Sequence, residues 1–257
     1  MKKGILVVSF GTSHLDTLEK TIAVMEREIG ERFEGCSVYR AFTSGMIIRK
    51  LKRTGVLDVD TVSEALARMA ADGIRDLTVQ PTHIINGIEN DRMLDDLKKH
   101  SHLFERICVG SPLLSSVEDY RKAIRAVMSE TELEDGEALV LMGHGTDHYA
   151  NAAYPALEYT FHSMGYDQVV VGTVEGFPEL SHVRQRLEKD QRKKVTLLPF
   201  MLVAGDHAKN DMAGEEDSWK SELEEDGYVV KAVIKGLGEF SGIRSLFLEH
   251  MEECYEL

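Results

Sequence analysis

The chain repeats itself, and that repetition restricts its fold more than any other feature. Ile5-Leu6-Val7-Val8-Ser9-Phe10-Gly11-Thr12 returns as Leu139-Val140-Leu141-Met142-Gly143-His144-Gly145-Thr146. Each copy is an apolar run entering a glycine turn, and His144 replaces Phe10. Val79-Gln80-Pro81-Thr82-His83-Ile84-Ile85-Asn86-Gly87-Ile88-Glu89 likewise returns as Leu197-Leu198-Pro199-Phe200-Met201-Leu202-Val203-Ala204-Gly205-Asp206-His207, with His207 in place of Glu89. A duplicated chain is expected to fold as two similar lobes. Two histidines gained by one half point to chemistry mostly on the C-terminal side.

Within each half, short Val/Ile/Leu runs alternate with segments of helical periodicity. Residues 5–9, 36–42, 76–80 and 106–109 read as strands, as do 138–142, 168–173, 194–198 and 229–234. Leu18, Ile22, Met25, Ile29 and Phe33 share one face of a helix expected over 17–33. Further helices are expected at 60–71, 91–99, 117–128, 154–164, 180–190, 217–225 and 242–253. The implied class is α/β: two lobes, each a parallel sheet flanked by helices, facing each other across a cleft. The acidic stretch 129–136 has no apolar periodicity and reads as the linker. It sets an N-terminal lobe of 1–128 against a C-terminal lobe of 129–257 that carries the metal site. Ligands of such sheets sit beyond the carboxyl ends of the strands, where Gly11, Gly87, Gly145 and Gly205 fall.

Composition removes several classes. The formal net charge of -14 makes nucleic acid and anionic membranes poor partners. No apolar run approaches the roughly 20 residues that span a bilayer. Met1-Lys2-Lys3 opens like a signal peptide, but the apolar run behind it is too short, so a cytoplasmic location is expected. Cys36, Cys108 and Cys254 are odd in number, widely spaced and without a Cys-x-x-Cys pair. That argues against a disulfide framework and a thiolate zinc site. Oligomeric state is open, a homo-oligomer included.

Nucleotide binding finds no support. The third glycine of a Gly-x-Gly-x-x-Gly starting at Gly143 is His148, and no Gly-x-x-x-x-Gly-Lys-Ser/Thr loop occurs. The Gly-x-Ser-x-Gly elbow of serine hydrolases is also absent. A metal site fares better. His144, Glu175 and His207 follow three successive strands of the C-terminal half, which can aim them into one crevice. Two imidazoles and a carboxylate suit Co²⁺, Ni²⁺, Fe²⁺ or Zn²⁺ and leave coordination positions open. His14 and His148 follow the first-strand turns, and His83 could face a ligand. His100, His102, His162, His182 and His250 read as surface or helix-end residues. Asp206, Asp211, Glu215, Glu216 and Asp217 read as a solvated loop or a funnel for a cation. Arg49, Lys50, Lys52 and Arg53 read as a solvated helix face or as partners of ligand carboxylates.

The opening Val-Val-Ser-Phe-Gly-Thr-Ser, the central Leu-Met-Gly-His-Gly-Thr, the Val-Glu-Gly turn and Pro-Phe-Met-Leu-Val-Ala-Gly-Asp-His-Ala together resemble the class II tetrapyrrole chelatases. The resemblance spans the chain and is greatest to the anaerobic sirohydrochlorin cobaltochelatase branch. It implies two α/β lobes around a tetrapyrrole and ATP-independent insertion of Co²⁺ into sirohydrochlorin in cobalamin biosynthesis. It also implies no nucleotide cofactor. By motif, His144 matches the catalytic histidine, His207 the second histidine ligand and Glu175 the carboxylate beside them. Phe10, Gly11 and Thr12 match the first-lobe turn that contacts the macrocycle, with Gly87 and Glu89 on the same substrate side. Iron or nickel insertion into a related tetrapyrrole is the alternative within the class. A carrier of metal or tetrapyrrole without turnover is the alternative outside it.

Overall fold

The computed structural model describes residues 1–257, which form two compact units: Met1–Ser115 with Ile243–Leu257, and Ser116–Gly242. The first unit runs β1 (Lys2–Ser9), α1 (Leu15–Lys20), α2 (Ile22–Arg32), β2 (Ser37–Phe42), α3 (Gly45–Thr54), β3 (Asp60–Thr61), α4 (Val62–Ala71), β4 (Ile74–Pro81), α5 (Ile88–His100) and β5 (Arg106–Val109). The second runs α6 (Val117–Ser129), β6 (Glu137–Gly143), α7 (Ala153–Ser163), β7 (Val169–Thr173), α8 (Leu180–Lys189), β8 (Lys194–Pro199), α9 (Trp219–Glu225) and β9 (Val229–Ala232). α10 (Ser241–Glu252) and β10 (Tyr255–Glu256) close the chain.

The first sheet has the order β10-β5-β4-β1-β2-β3 and is parallel except for β10. The second, β7-β6-β8-β9, is parallel throughout. In both, the first strand of the repeat lies between the second and the third, so β2-β1-β4-β5 corresponds to β7-β6-β8-β9. Backbone hydrogen bonds match the copies residue by residue. Thr82 N–H donates to Val8 O and Phe200 N–H to Met142 O, both at 2.8 Å. Ser44 N–H donates to Phe10 O, and Glu175 N–H to His144 O.

Central strands covered on both faces explain the unbroken apolar runs. The last six residues of β1 are buried, as is all of β6. Leu6 and Val8 pack with Leu66, Met69 and Met93, and Val140 and Met142 with Val183, Leu187 and Trp219. Each such side chain contributes about 1.5–3 kcal/mol by leaving water.

Four expectations need correction. The units do not divide at 128/129: α6 packs on α7 and belongs to the second unit, while α10 from Ile243 onward returns to the first. The linker reading failed because the apolar face of α6 carries no mark of which sheet it covers. The helix expected over 17–33 breaks at Thr21, whose φ of -122° and ψ of -83° are not helical. Cys108 and Cys254 form a disulfide with their Cα atoms 5.6 Å apart, leaving Cys36 as the free thiol. β10 pairs antiparallel with β5 and carries the adjacent Cys254 to that strand, a pairing invisible across 146 residues of sequence. Finally, His250 is buried, its Nδ1 3.0 Å from the Ser111 carbonyl. The two-residue strand β3 and the terminal strand β10 have no counterpart in the sequence pattern, and the helix face read at Arg49, Lys50, Lys52 and Arg53 belongs to α3.

Candidate metal centre

The order β7-β6-β8 makes the carboxyl end of β6 a topological switch point, because the chain leaves to one side for β7 and to the other for β8. Crevices form at such points. His144 follows β6 immediately, Glu175 lies two residues beyond β7, and His207 stands at the head of a π-helical turn, Ala208–Met212, after β8. The structure thus brings the three residues together from three adjacent strands.

One donor atom from each of His144, Glu175 and His207 lies within 4.8 Å of the others. An ion held tetrahedrally at about 2.1 Å from each donor spaces them by roughly 3.4 Å, a separation that side-chain rotation reaches. The two imidazoles meet edge to face, ring centroids 4.7 Å apart. His144 Nδ1 lies 3.0 Å from the Gly145 carbonyl and 3.7 Å from Glu175 Oε2. His207 Nδ1 lies 2.8 Å from Asp211 Oδ2. Donation from His144 Nδ1 to the Gly145 carbonyl and from His207 Nδ1 to Asp211 puts the lone pair of each ring on Nε2. A carboxylate behind a ligating histidine fixes its tautomer and orientation. Sequence reasoning placed Asp211 only in a general acidic run; the i, i+4 spacing from His207 was the available signal.

Two further features set this geometry. Gly145 has φ +82°, and a Cβ there would fall 2.6 Å from the Gly176 nitrogen. Only a glycine lets the turns after β6 and β7 close on each other and hold His144 beside Glu175. Beneath the turn, the Tyr154 ring is buried so close to Gly143 that a Cβ at Gly143 would collide with it. Burial pushes the Tyr154 hydroxyl up to about 12, although the backbone groups of Gly145 and His144 beside it pull the other way. No sequence motif pointed to Tyr154.

A cavity of about 540 Å³ opens beside Glu175, lined among others by Asp147, Tyr149, Phe177 and Glu179. Another, of about 410 Å³, lies against β2, α2 and α4 in the first unit. Among its charged residues, Arg40 pairs with Glu26 and Arg68 with Asp60.

The same positions in the first unit hold no comparable set. Phe10, Ser44 and Glu89 stand where the second unit has His144, Glu175 and His207. Phe10 is partly exposed beyond β1. Gly11 has φ +103°, and a Cβ there would strike the Phe42 ring. Thr12 is buried, and its hydroxyl accepts from the His14 N–H at 3.1 Å. Gly87 is buried at the N-cap of α5 in extended backbone, so it needs no left-handed conformation. Glu89 pairs with Arg92 at 2.7 Å. His83, which the sequence left facing a ligand, is instead buried; desolvation pushes its imidazole down to about 4, partly offset by Asn90.

The profile of the cobalt chelatase (CbiK) family matches residues 3–256. The chain is 41% identical over 259 residues to the sirohydrochlorin cobaltochelatase of Salmonella typhimurium, an alignment covering 100% of this chain and 98% of that one. It is 34% identical over 255 residues to the sirohydrochlorin cobaltochelatase CbiKC of Nitratidesulfovibrio vulgaris, covering 97% and 89%. Among solved structures, SirB from Bacillus subtilis with Fe³⁺ superposes with a TM-score of 0.68 at 16% identity, over 98% of this chain and 95% of that one. That likeness bears on the two-lobed fold alone. On the full-length profile match and the two relatives, the chain belongs to the cobalt chelatase (CbiK) family.

Proposed function

We propose that the protein inserts Co²⁺ into sirohydrochlorin without a nucleotide, and that His144, Glu175 and His207 receive the ion. The gathering of these three donors at the switch point of the second sheet is the observation that carries the reading. Insertion joins one divalent ion to a macrocycle that loses two N–H protons. Imidazole serves both needs, as ligand before transfer and proton acceptor after it. In this reading His144 takes the two pyrrole protons one at a time, passing the first to solvent before accepting the second, while Glu175, 3.7 Å away, stabilises each imidazolium that forms. His207, steered by Asp211, holds the ion as it sheds its other ligands.

Phe10 and Glu89 contact the macrocycle in this proposal, and Gly11, Thr12 and Gly87 shape the turns that carry them. No helix of the chain is long and apolar enough to cross a membrane. The reaction is assigned to the cytoplasm, where thiol buffering sets the state of the Cys108–Cys254 pair.

Two imidazoles and a carboxylate also accept Fe²⁺ and Ni²⁺. Anaerobic initial rates with each metal, followed by the absorbance of sirohydrochlorin, test the assignment. The expected result is multiple turnover, fastest with Co²⁺. A spectral change that stops after one equivalent means a carrier, and faster turnover with iron or nickel reassigns the metal.

A further inference from the structure

Little besides one covalent bond holds β10 to the first sheet. The strand has two residues, both exposed, with Tyr255 opposite Val109 and Glu256 opposite Cys108 on β5. Leu257 N–H extends the ladder by donating to Ile107 O at 3.0 Å. So short a ladder, with its side chains exposed, adds little against the competition of water. The Cys108–Cys254 disulfide ties it down.

α10 is seated independently. Ile243, Leu246, Phe247 and Met251 are buried, Arg244 pairs with Glu28, and Glu252 pairs with Arg32. Breaking the disulfide therefore releases 253–257 and leaves the helix in place. What it uncovers is β5, whose Ile107, Cys108 and Val109 are buried. Gly110 N–H donates to Val79 O on β4. Backbone groups alternate sides along a strand, so Cys108 also faces β4 while Ile107 and Val109 face β10. Without β10 those two residues present an open edge, which templates pairing with another chain. The segment that fits this edge is 253–257 itself. A second molecule of the chain carries the same segment, and its Cys254 arrives opposite Cys108. Exchange of an identical element is a low-cost route to a dimer, because each molecule already makes those contacts with itself.

Cys254 is half-buried and Cys108 fully covered, so a thiolate reaches Cys254 first. Attack of a dithiol on Cys254 Sγ forms a mixed disulfide, and Cys108 leaves as a thiolate that takes a proton from solvent. The second thiol of the reductant loses its proton and displaces Cys254, which is protonated in turn. Two electrons pass from the dithiol to the protein, and a low-molecular-weight disulfide reverses the exchange. We infer that Cys108–Cys254 is a thiol-exchangeable latch: closed, it caps the β5 edge within one molecule; open, it offers that edge to residues 253–257 of a second molecule. The inference stands apart from the chelatase reading.

Amide hydrogen exchange on the full chain, oxidised and then reduced with dithiothreitol, reads the latch. Reduction should speed exchange at Ile107 and Val109 by about tenfold or more, with Gly110 and the β6 amides unchanged. Unchanged protection at Ile107 and Val109 overturns the latch. Equal acceleration at Gly110 and in β6 also overturns it, because that is general loosening. The partner is read by mixing Cys108→Ser with Cys254→Ser, each also carrying Cys36→Ser to remove the third thiol, and oxidising with glutathione disulfide. The mixture should give a covalent dimer joined from Cys254 to Cys108, in clear excess over either variant alone. A mixture that yields no more dimer than the separate variants overturns the exchange between molecules. If a variant fails to fold, wild type reduced and reoxidised over a concentration series replaces the mixture. The Cys108–Cys254 dimer should then rise with concentration, and monomer at every concentration overturns the exchange.

Discussion

His144 and His207 differ from their counterparts Phe10 and Glu89 by single substitutions in a shared backbone, and the proposed function rests on that difference. His144→Ala and His207→Ala should each lower turnover by about 10²-fold or more while the melting temperature holds. A variant that turns over at the wild-type rate removes that histidine from the site. Asp211→Asn keeps size but weakens the grip on His207 Nδ1, so Co²⁺ affinity should fall by roughly 10–100-fold, measured by chelator competition. His83 carries a different consequence, because its imidazole is held neutral down to about pH 4. Above pH 6.5 both folded and unfolded states are neutral at this residue, and nothing is lost. Below that, the unfolded chain takes up a proton that the native state refuses, so stability declines until the native group titrates. The decline should amount to roughly 3 kcal/mol between pH 6.5 and 4. His83→Met, which installs the residue found at the matching Met201, should flatten that part of the urea-denaturation profile.

Among elements, the turns decide more than the strands. β1 and β6 are nearly interchangeable apolar runs, and their helices bury similar faces. The turn after β6, by contrast, must place His144 against Glu175 through Gly145. Gly145→Ala would place a methyl 2.6 Å from the Gly176 nitrogen in a left-handed conformation, so the loop has to move. Gly227, at φ +87° with open space around it, supplies the control. Both alanine variants should cost about 1–2 kcal/mol of stability from backbone strain. Only Gly145→Ala should also lose Co²⁺ affinity; equal affinities in the two variants would show that the close approach to Gly176 does not set the site. The break at Thr21 shows the limit of periodicity. The apolar spacing runs through it because Leu18 on α1 and Ile22, Met25 and Ile29 on α2 are all buried.

Across the whole molecule, the chain ends by coming back. Ile243–Leu257 returns to the first unit through β10 on β5, the Arg244–Glu28 ion pair and the Cys108–Cys254 disulfide. A cross-link over 146 residues restricts the unfolded chain severely, and its loss should cost about 2–5 kcal/mol. Cys254→Ser should lower the unfolding free energy obtained from urea denaturation by that amount. A reducing agent should do the same to wild type and nothing further to the variant, with kcat unchanged in both. The fold class, and the three strand-end residues His144, Glu175 and His207 that the structure gathers, were legible in the sequence because burial on both sheet faces leaves a local apolar signature, and because duplication exposes which strand-end positions have changed. Asp211, Tyr154, the buried His83 and His250, the Thr21 break and the paired cysteines were not legible. Each depends on which distant segments pack together, and a linear pattern records what a segment buries without recording against what.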